Sequence, residues 1–455
     1  MTVAIVGSGP AGTRAAEVLV RAGLRPVVID EAPDNGGRIY QRQPPGFQRA
    51  GKQLYGFEAG KAAALHACFD DLRERIDYRP RTLVWNIRPD GLNTYGDGRY
   101  GEVAFDQVIL CTGAMDRVVP LPGWTLPGVT TLGGAQIALK GQGCAIGKRV
   151  VFVGSGPLIY LVAWQYARAG VAVTVLDTSG FTAKARQLAG LLRGGGTFMK
   201  GLHYIAWLRL HGVRIFEGAT PVAIEGGEEV AGISFRDASG RARRLLCDAV
   251  GMGWGLKPET QLADLAGVPF DYDAGQQLWL PRRDAAGRSP VAHVFLAGDG
   301  ARIAGADVAE LAGTRAALAV LETLGIPTEA SVLARLDAAI ARHAAFRRAL
   351  DNAFPYPAAL AAAVPDETIL CRCEAITAGE LRRAARETAM PPAPEVNRAK
   401  AFTRIGMGRC QGRVCGPAGA EILAAALGCT VADVGRLRGQ PPVKPVPILA
   451  ERAVA

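Results

Sequence analysis

Short apolar runs and longer helix-like segments alternate along the first two thirds of the chain, and glycines separate them. Val3–Val6 is the first apolar run, and an uninterrupted run of this kind is typical of a buried strand. A glycine-rich turn, a helix that ends at Gly23 and a second apolar strand that ends at Asp30 follow it. The same order returns in KRVVFVGSGPLIYLVAWQYARAGVAVTVLDTSG, where the closing strand ends at Asp177. The pattern predicts an α/β fold that repeats one strand–helix–strand unit.

The first glycine-rich turn has the spacing that a bound dinucleotide requires. Its three glycines allow a tight turn, close backbone approach to a diphosphate, and close packing of helix on strand. The diphosphate would lie on the N-terminus of the helix, where free amides and the helix dipole favour anions. Asp30 lies 18 residues after Gly12, which suits a hydrogen bond to a ribose hydroxyl. The residues predicted to bind the dinucleotide here are Gly7, Gly9, Pro10, Ala11, Gly12, Asp30 and Glu31.

The second glycine-rich turn departs from this spacing. It keeps Gly154 and Gly156, but Ile159 occupies the third glycine position. A branched side chain there should push the helix away from the strand and weaken the approach to a diphosphate. Asp177 would still suit an NADH ribose, so two interpretations stay open. The domain either binds NAD(P) or is retained for its shape and contacts.

Two further strand ends carry candidate cofactor contacts. FDQVILCTGAMDRVVPLPG predicts a strand followed by Thr112 and Gly113, and VAHVFLAGDGARIAG predicts one that ends at Gly298 and Asp299. A carboxylate at such a strand end can hydrogen-bond a polyol, and the next helix N-terminus can face an electron-rich ring. We therefore expect these residues to complete the first dinucleotide site.

GSGPAG, CTGA and AGDG together resemble the flavoproteins with two dinucleotide-binding domains of the glutathione-reductase-like type. The resemblance covers residues 1 to about 340 and implies FAD at the first site, with its ribitol and diphosphate near Gly298–Asp299. It also implies an FAD-binding domain over residues 1–118 and 291–345, with a second nucleotide-binding-like domain, 119–290, inserted in it. Some relatives carry NAD or ATP at the equivalent site, and the Gly-Asp motif favours FAD.

GGRIYQRQPP is similar to the α subunits of hetero-oligomeric amine dehydrogenases, and it adds Gly37 and Arg38 to the candidate site. That group includes opine oxidases, D-hydroxyproline dehydrogenases, hydrogen cyanide synthase and, more remotely, heterotetrameric sarcosine oxidases. The resemblance implies a catalytic flavoprotein β subunit that oxidises a secondary amine, a small γ subunit, and an additional FMN between the chains.

Composition narrows the classes of function. The formal net charge is +10, but the arginines are scattered along helices without a basic stripe, which disfavours nucleic acid as a partner. An anionic cofactor or an acidic partner surface is a better use of this charge. No apolar run reaches the roughly 18 residues of a membrane span. A strand already begins near residue 2, so we expect no signal peptide and a cytoplasmic protein, with peripheral membrane association through partners.

The nine cysteines are informative because of the motif that they do not form and because of their spacing. No CxxC motif is present, which excludes disulfide reductase chemistry. Four cysteines form the pairs CxC and CxxxxC after a proline-containing linker, 346–365, within a predicted mainly helical domain and tail, 366–455. Core packing and disulfides are weaker interpretations, since a reducing compartment disfavours disulfides and a CxC bridge would be strained. A metal site remains, with Cys371, Cys373, Cys410 and Cys415 as its ligands.

Zinc and a [2Fe–2S] cluster both accept four thiolates. Structural zinc sites usually have CxxC motifs, which this chain lacks. Residues 396–420 contain five basic residues and no acid, and this positive charge suits an anionic cluster. The two pairs also resemble the BFD-like [2Fe–2S] domain, although the last spacing is longer than in bacterioferritin-associated ferredoxins. The resemblance therefore favours a [2Fe–2S] cluster.

The sequence shows no convincing acid–base constellation, since its five histidines are scattered. We therefore expect an electron-transfer subunit that carries FAD and the cluster and passes electrons from a β subunit to a downstream acceptor. Two alternatives stay open: a self-sufficient NAD(P)H-dependent reductase, and a scaffolding subunit with a structural nucleotide.

Overall fold

A computed structural model describes residues 1–387, 395–448 and 451–452. The fold is α/β with two parallel sheets and a small helical C-terminal region, which confirms the predicted fold class. Parts of the predicted C-terminal domain and tail, residues 388–394, 449–450 and 453–455, lie outside the described residues.

The first segment of the chain builds most of a parallel sheet and a separate antiparallel meander. Its elements are β1 (Val3–Val6), α1 (Pro10–Arg21), β2 (Val27–Ile29), α2 (Gly51–Tyr55), α3 (Ala59–Leu72), β3 (Asp77–Arg79), β4 (Thr82–Arg88), β5 (Gly91–Gly96), β6 (Arg99–Ala104), β7 (Gln107–Leu110) and β8 (Ala114–Asp116). The parallel order is β7-β1-β2-β3, while β4, β5 and β6 pair antiparallel. β1, β2 and β7 have every residue buried, as their apolar runs predict.

The second segment repeats the parallel arrangement. Its elements are β9 (Val129–Thr131), α4 (Leu132–Gly141), β10 (Arg149–Ser155), α5 (Pro157–Arg168), β11 (Ala172–Asp177), α6 (Phe181–Arg186), α7 (Leu188–Leu192), α8 (Gly196–Leu210), β12 (Arg214–Glu217), β13 (Thr220–Gly226), β14 (Val230–Arg236), β15 (Ala242–Leu246), β16 (Ala249–Trp254), β17 (Leu256–Pro258), α9 (Gln261–Leu265), β18 (Phe270–Asp273) and β19 (Leu278–Pro281). The parallel order is β12-β11-β10-β16-β9, and β13, β14 and β15 form the meander. β17 pairs antiparallel with β8, which joins the two segments.

The chain then returns to the first sheet. The elements are β20 (Val294–Leu296), a single 3₁₀ turn (Gly298–Gly300), α10 (Ala306–Thr323), α11 (Ala330–Ala353) and α12 (Ala358–Ala362). β20 pairs parallel with β7 and completes the five-stranded sheet β20-β7-β1-β2-β3. The predicted linker, 346–365, contains the end of α11 and all of α12, and Tyr356 and Ala361 within it are buried.

The C-terminal segment is mainly helical. Its elements are β21 (Ile369–Cys371), β22 (Ile376–Thr377), α13 (Ala378–Glu387), α14 (Val396–Thr403), α15 (Gly416–Leu427), α16 (Val431–Val434) and β23 (Glu451–Arg452). Leu370, Leu381 and Leu423 belong to one apolar cluster with Trp124 and Val153 of the second segment. This region therefore packs onto the flavoprotein-like part rather than standing apart, and β23 reaches back to pair with β6.

Across the described ranges, none of the helices combines the length and apolar character that a membrane span requires.

Candidate functional site

Two positions in the turn after β1 accept only glycine. Gly7 has φ of +105°, and a Cβ there would lie 2.3 Å from the carbonyl oxygen of Cys111 on the neighbouring strand end. A Cβ on Gly12 would lie 1.8 Å from the carbonyl oxygen of Gly7. α1 therefore packs against the turn at backbone contact, as the sequence predicts for these two glycines.

Gly9 and Gly37 face each other across the entrance to α1. A Cβ on Gly37 would lie 3.1 Å from the Cα of Gly9, and one on Gly9 would lie 3.5 Å from the Cα of Gly37. Gly9 is the N-cap of α1 and offers no side-chain cap, Pro10 follows it, and the first turn contains no acid. The first amides of the helix thus lack a protein anion as partner. This cradle of two glycines at a helix N-terminus fits a diphosphate, and side chains there would fill it.

The end of β20 meets the same turn. A Cβ on Gly298 would lie 2.8 Å from the Cβ of Ala11, and one on Gly300 would lie 2.5 Å from Oγ1 of Thr112 and 3.0 Å from the amide of Gly113. The carboxyl ends of β1, β7 and β20 thereby converge, which is where ligands bind in such sheets. Gly300 was not among the predicted residues, although its position directly after Gly298–Asp299 marks it.

Asp299 shapes the loop that leads into α10. Its Oδ1 accepts hydrogen bonds from the amides of Ala304 at 2.8 Å and Gly305 at 3.0 Å. One carboxylate oxygen is thus engaged by backbone, which orients the side chain at the strand end beside the turn.

The acids after β2 have different surroundings. The Asp30 carboxylate accepts from the amide of Ser8 at 2.6 Å, from its hydroxyl at 2.8 Å, and from the amide of Ala32 at 2.7 Å. Burial raises its pKa, although these donors oppose the shift. Glu31 forms an ion pair with Arg38 at 3.2 Å and another with Lys444 of the C-terminal segment. The structure thus engages Glu31 and Arg38 with each other, and sequence reasoning missed both Ser8 and Lys444.

At the second glycine-rich turn, side chains of the protein contact the residues that a nucleotide would need. Ile159 is fully buried in the apolar cluster that joins α4, α5 and β10. The Asp177 carboxylate, at the end of β11, accepts from the Tyr160 hydroxyl and from Lys184 Nζ, each at 2.5 Å. Lys184 also binds Glu217 at 3.0 Å. A nucleotide ribose would have to displace this buried ion pair to reach Asp177.

The two cysteine pairs come together at the start of α15. Cys371 ends β21 and Cys373 lies in the following turn, while Cys410 and Cys415 lie in the turns that lead into α15. The Sγ atoms pair as Cys371 with Cys415 and as Cys373 with Cys410, and Cys415 interacts electrostatically with all three others. Cys371 and Cys415 are buried, and Cys373 and Cys410 are half-buried.

The electrostatic surroundings differ from one of these thiols to the next. The hydrogen bond from Cys415, together with the amides of Gly406, Glu374 and Cys373, lowers the pKa of Cys371 to about 5. The same hydrogen bond and burial raise the pKa of Cys415. Cys415 is also the N-cap of α15, whose first turn contains no acid. Thiolates are the ligand form of cysteine, and the amides around Cys371 favour that form, whereas burial raises the pKa of Cys373.

The four thiols are the candidate ligands of a metal centre. Within residues 1–387, 395–448 and 451–452, no three His, Cys, Asp or Glu side chains lie close enough together to hold one metal ion. Four thiolates are the donor set of a [2Fe–2S] cluster, so the residues present fit that group.

The basic residues of this region serve mainly structural roles. Arg404 pairs with Glu374 at 2.9 Å, Lys400 donates to the carbonyl of Arg438 at 3.1 Å, and Arg398 lies over the Phe402 ring at 5.5 Å. These three basic residues thus interact with neighbouring groups of the protein, and of the three only Lys400 is buried.

A short segment links the loop at Thr112–Gly113 to the loop at Gln411–Arg413. The Thr112 hydroxyl donates to the carbonyl of Glu259 at 2.5 Å, and the Glu259 amide donates to the carbonyl of Gly113 at 2.9 Å. Arg413 then bonds Glu259 at 3.2 Å and the Gln261 side chain at 3.0 Å. Gln261 also donates to the carbonyl of Gln411 at 2.8 Å. Residues 259–261 therefore tie the two candidate sites together.

Two family models match successive parts of the chain. Residues 1–313 match the pyridine nucleotide-disulphide oxidoreductase family, which indicates an FAD oxidoreductase, and residues 369–425 match the BFD-like [2Fe–2S] binding domain. The second match contains all four paired cysteines.

Individual relatives span nearly the whole chain. An opine oxidase subunit from Rhizobium meliloti is 38% identical over 98% of this chain and 86% of its own length. The hydrogen cyanide synthase subunit HcnB of Pseudomonas protegens is 32% identical over 98% of this chain and 96% of its own. The crystal structure of L-proline dehydrogenase from P. horikoshii shares the fold, with a TM-score of 0.74 at 18% identity, covering 98% of this chain and 79% of that one. The chain belongs to the pyridine nucleotide-disulphide oxidoreductases and, within them, to the family of α subunits that includes HcnB and the opine oxidase subunit.

Proposed function

We propose that this chain is the electron-transfer subunit of a multi-subunit dehydrogenase that oxidises a secondary amine or amino acid on a partner β subunit. FAD at the first glycine turn and a [2Fe–2S] cluster on the two cysteine pairs would supply the redox chemistry. The observation that carries the proposal is the link through residues 259–261, which joins the Thr112–Gly113 loop to the Gln411–Arg413 loop by direct hydrogen bonds.

The residues of this link have a positioning role. Thr112 and Gly113 hold Glu259 from one side, and Arg413 holds it from the other. Arg413 is largely buried, and its guanidinium also donates to the carbonyl of Val443. Because these bonds are short and largely buried, they fix the separation of the two sites. A fixed separation suits transfer of electrons between bound groups.

The substrate belongs to the partner in this proposal. The relatives are named as subunits of an opine oxidase and of a hydrogen cyanide synthase, so an opine, hydroxyproline or proline-like amine is the substrate class we propose. In the described part of this chain no histidine forms an ion pair with a carboxylate. His66 bonds the carbonyl of Tyr40 at 2.8 Å, and His211 stacks on Trp207 at 3.7 Å. A recognisable general base is therefore expected on the β subunit.

Substrate oxidation should require the partner chain. The purified chain alone is expected to show no amine-dependent dye reduction, and co-expression with a catalytic β subunit should restore it. Dithionite reduction of the isolated chain serves as the control that its bound groups are redox-competent. Robust turnover of a proline-like or opine-like amine by the isolated chain would refute the proposal.

A self-sufficient NAD(P)H reductase is disfavoured by the buried ion pair between Asp177 and Lys184. NADH is therefore expected to reduce the flavin slowly or not at all, because ribose binding must break an ion pair inside the protein. Anaerobic stopped-flow mixing measures this directly, with dithionite as the positive control. Rapid bleaching of the flavin by NADH would instead favour the reductase.

The composition of the complex completes the proposal. We place an additional FMN between the α and β chains, a small γ subunit beside them, and a downstream electron acceptor at the cluster side. We propose a cytoplasmic complex whose contact with a membrane, where present, is peripheral and made through partners. Chromatography of the flavins released from the assembled complex tests the FMN, which should appear only when the β chain is present.

A further inference from the structure

A cavity of about 110 Å³ lies between the C-terminal segment and the rest of the molecule. Arg117 and Lys257 line one side of it, and Gly416 and Pro417 at the start of α15 line the other. Phe270 and Leu437 contribute apolar wall. The space is sufficient for a few water molecules or one small anion.

Arg117 is buried, with 4% of its surface exposed, and its hydrogen bonds leave the Nε atom without a partner. Its two terminal nitrogens donate to the carbonyls of Gln276 at 2.9 Å and Gln277 at 2.8 Å. The guanidinium lies over the Tyr356 ring at 3.4 Å. Its Nε is buried and has no partner in the described residues. Arg117 therefore brings a buried positive charge to the wall of the cavity.

Lys257 supplies a second cation. It lies in β17, opposite Met115 of β8, and within the described ranges its ammonium makes no hydrogen bond or ion pair. Burial lowers its pKa, since the charged form is poorly solvated there. Glu259 and Cys410 attract this ammonium electrostatically without forming an ion pair with it, and an anion in the cavity would bind it directly.

The other charged residues that line the cavity determine its net charge. Arg436 is already neutralised by Asp264 at 2.6 Å. Glu421 is the acid that lines the cavity, and burial raises its pKa. The start of α15, a helix of 12 residues with no acid in its first turn, adds partial positive charge. The cavity thus carries an excess of positive charge that Glu421 offsets only in part.

We propose that this cavity binds a small oxyanion, a phosphate or carboxylate group, between Lys257, Arg117 and the start of α15. The anion would lie at the helix end that also begins with Cys415. Its negative charge would oppose reduction of any centre held by that cysteine. The concentration of a small anion would therefore control the rate of electron transfer. This consequence rests on the proposed function, but the binding of the anion does not depend on it.

Calorimetric titration of the purified, oxidised full chain with inorganic phosphate tests the binding, with chloride holding the ionic strength constant. Phosphate should bind saturably and raise the thermal midpoint. Lys257→Met should weaken binding roughly ten- to a hundredfold, because one charge-assisted hydrogen bond is lost. Lys257 makes no other bond in the described residues, so this variant should fold. Arg117 is left unchanged because it also holds the carbonyls of Gln276 and Gln277.

Glu421→Gln is the matched variant of opposite sign and should tighten phosphate binding, since it removes the repelling charge. A parallel titration with acetate separates a carboxylate ligand from a phosphate ligand. The proposed site would be refuted if the heat signal of phosphate did not saturate and equalled that of chloride. It would also be refuted if wild type, Lys257→Met and Glu421→Gln bound phosphate with equal affinity. Because no partner or substrate is present, failure here is distinct from failure of the proposed function.

Discussion

Cys371→Ser is expected to yield a protein without a [2Fe–2S] centre. Serine replaces a soft thiolate with a harder and more weakly binding ligand, and it also removes the partner of Cys415. Iron and acid-labile sulfide should fall from stoichiometric amounts to near zero, and dithionite should no longer generate the paramagnetic signal of a reduced cluster. The same loss or severe alteration is expected at Cys373, Cys410 and Cys415.

Cys429→Ser is the matched control, since Cys429 lies in the same segment but outside the two pairs. It should retain the cluster. Because ligation also holds the small domain together, hydrogen exchange in Cys371→Ser should accelerate within residues 366–448, while the FAD-binding part stays protected. One stoichiometric zinc without labile sulfide in the wild-type protein would contradict the cluster assignment.

Gly9→Val is expected to fold but to lack FAD. Gly9 has φ of −72°, which any residue adopts, and the nearest atom to an added Cβ is the Gly37 Cα at 3.5 Å. The side chain therefore enters the cradle without breaking the turn. Loss of two charge-assisted amide contacts at about 1.5–3 kcal/mol each would weaken binding by roughly 10²–10⁴-fold.

Flavin released per protein measures the effect, and thermal unfolding verifies the fold. Gly60→Val, at a glycine of α3 with nothing within 4 Å, is the matched control and should keep its FAD. Full stoichiometric FAD in Gly9→Val would show that the dinucleotide lies elsewhere.

Local spacing made the first turn predictable. Gly7 and Gly12 are required by contacts within a few residues or with the adjacent strand, so the strand–turn–helix pattern already contains the constraint. CxC and CxxxxC likewise marked four cysteines as candidate ligands, but they did not predict the pairing between the two motifs, Cys371 with Cys415 and Cys373 with Cys410. The α/β fold follows from buried apolar runs such as β10.

The contacts that decide the roles of charged residues were not predictable. Glu31 meets Lys444 from 413 positions away, and Gln261 meets Gln411 from 150. Asp177 looked like a ribose ligand, yet Tyr160 and Lys184 bind it inside the protein. Such pairings depend on how whole segments pack, and a single sequence carries no local signal for them.

The position of β20 in the first sheet has a consequence for synthesis on the ribosome. β20 begins at Val294, yet it completes a sheet whose neighbouring strand β7 ends at Leu110. All strands of the second sheet lie between these two points, so that sheet can form while the first still lacks its edge. At roughly 5–20 residues per second, the nascent chain spends roughly ten to forty seconds with β7 unpaired on that side. An exposed strand edge is a template for aggregation, so overproduction of chains truncated between β7 and β20 should send the N-terminal segment into inclusion bodies.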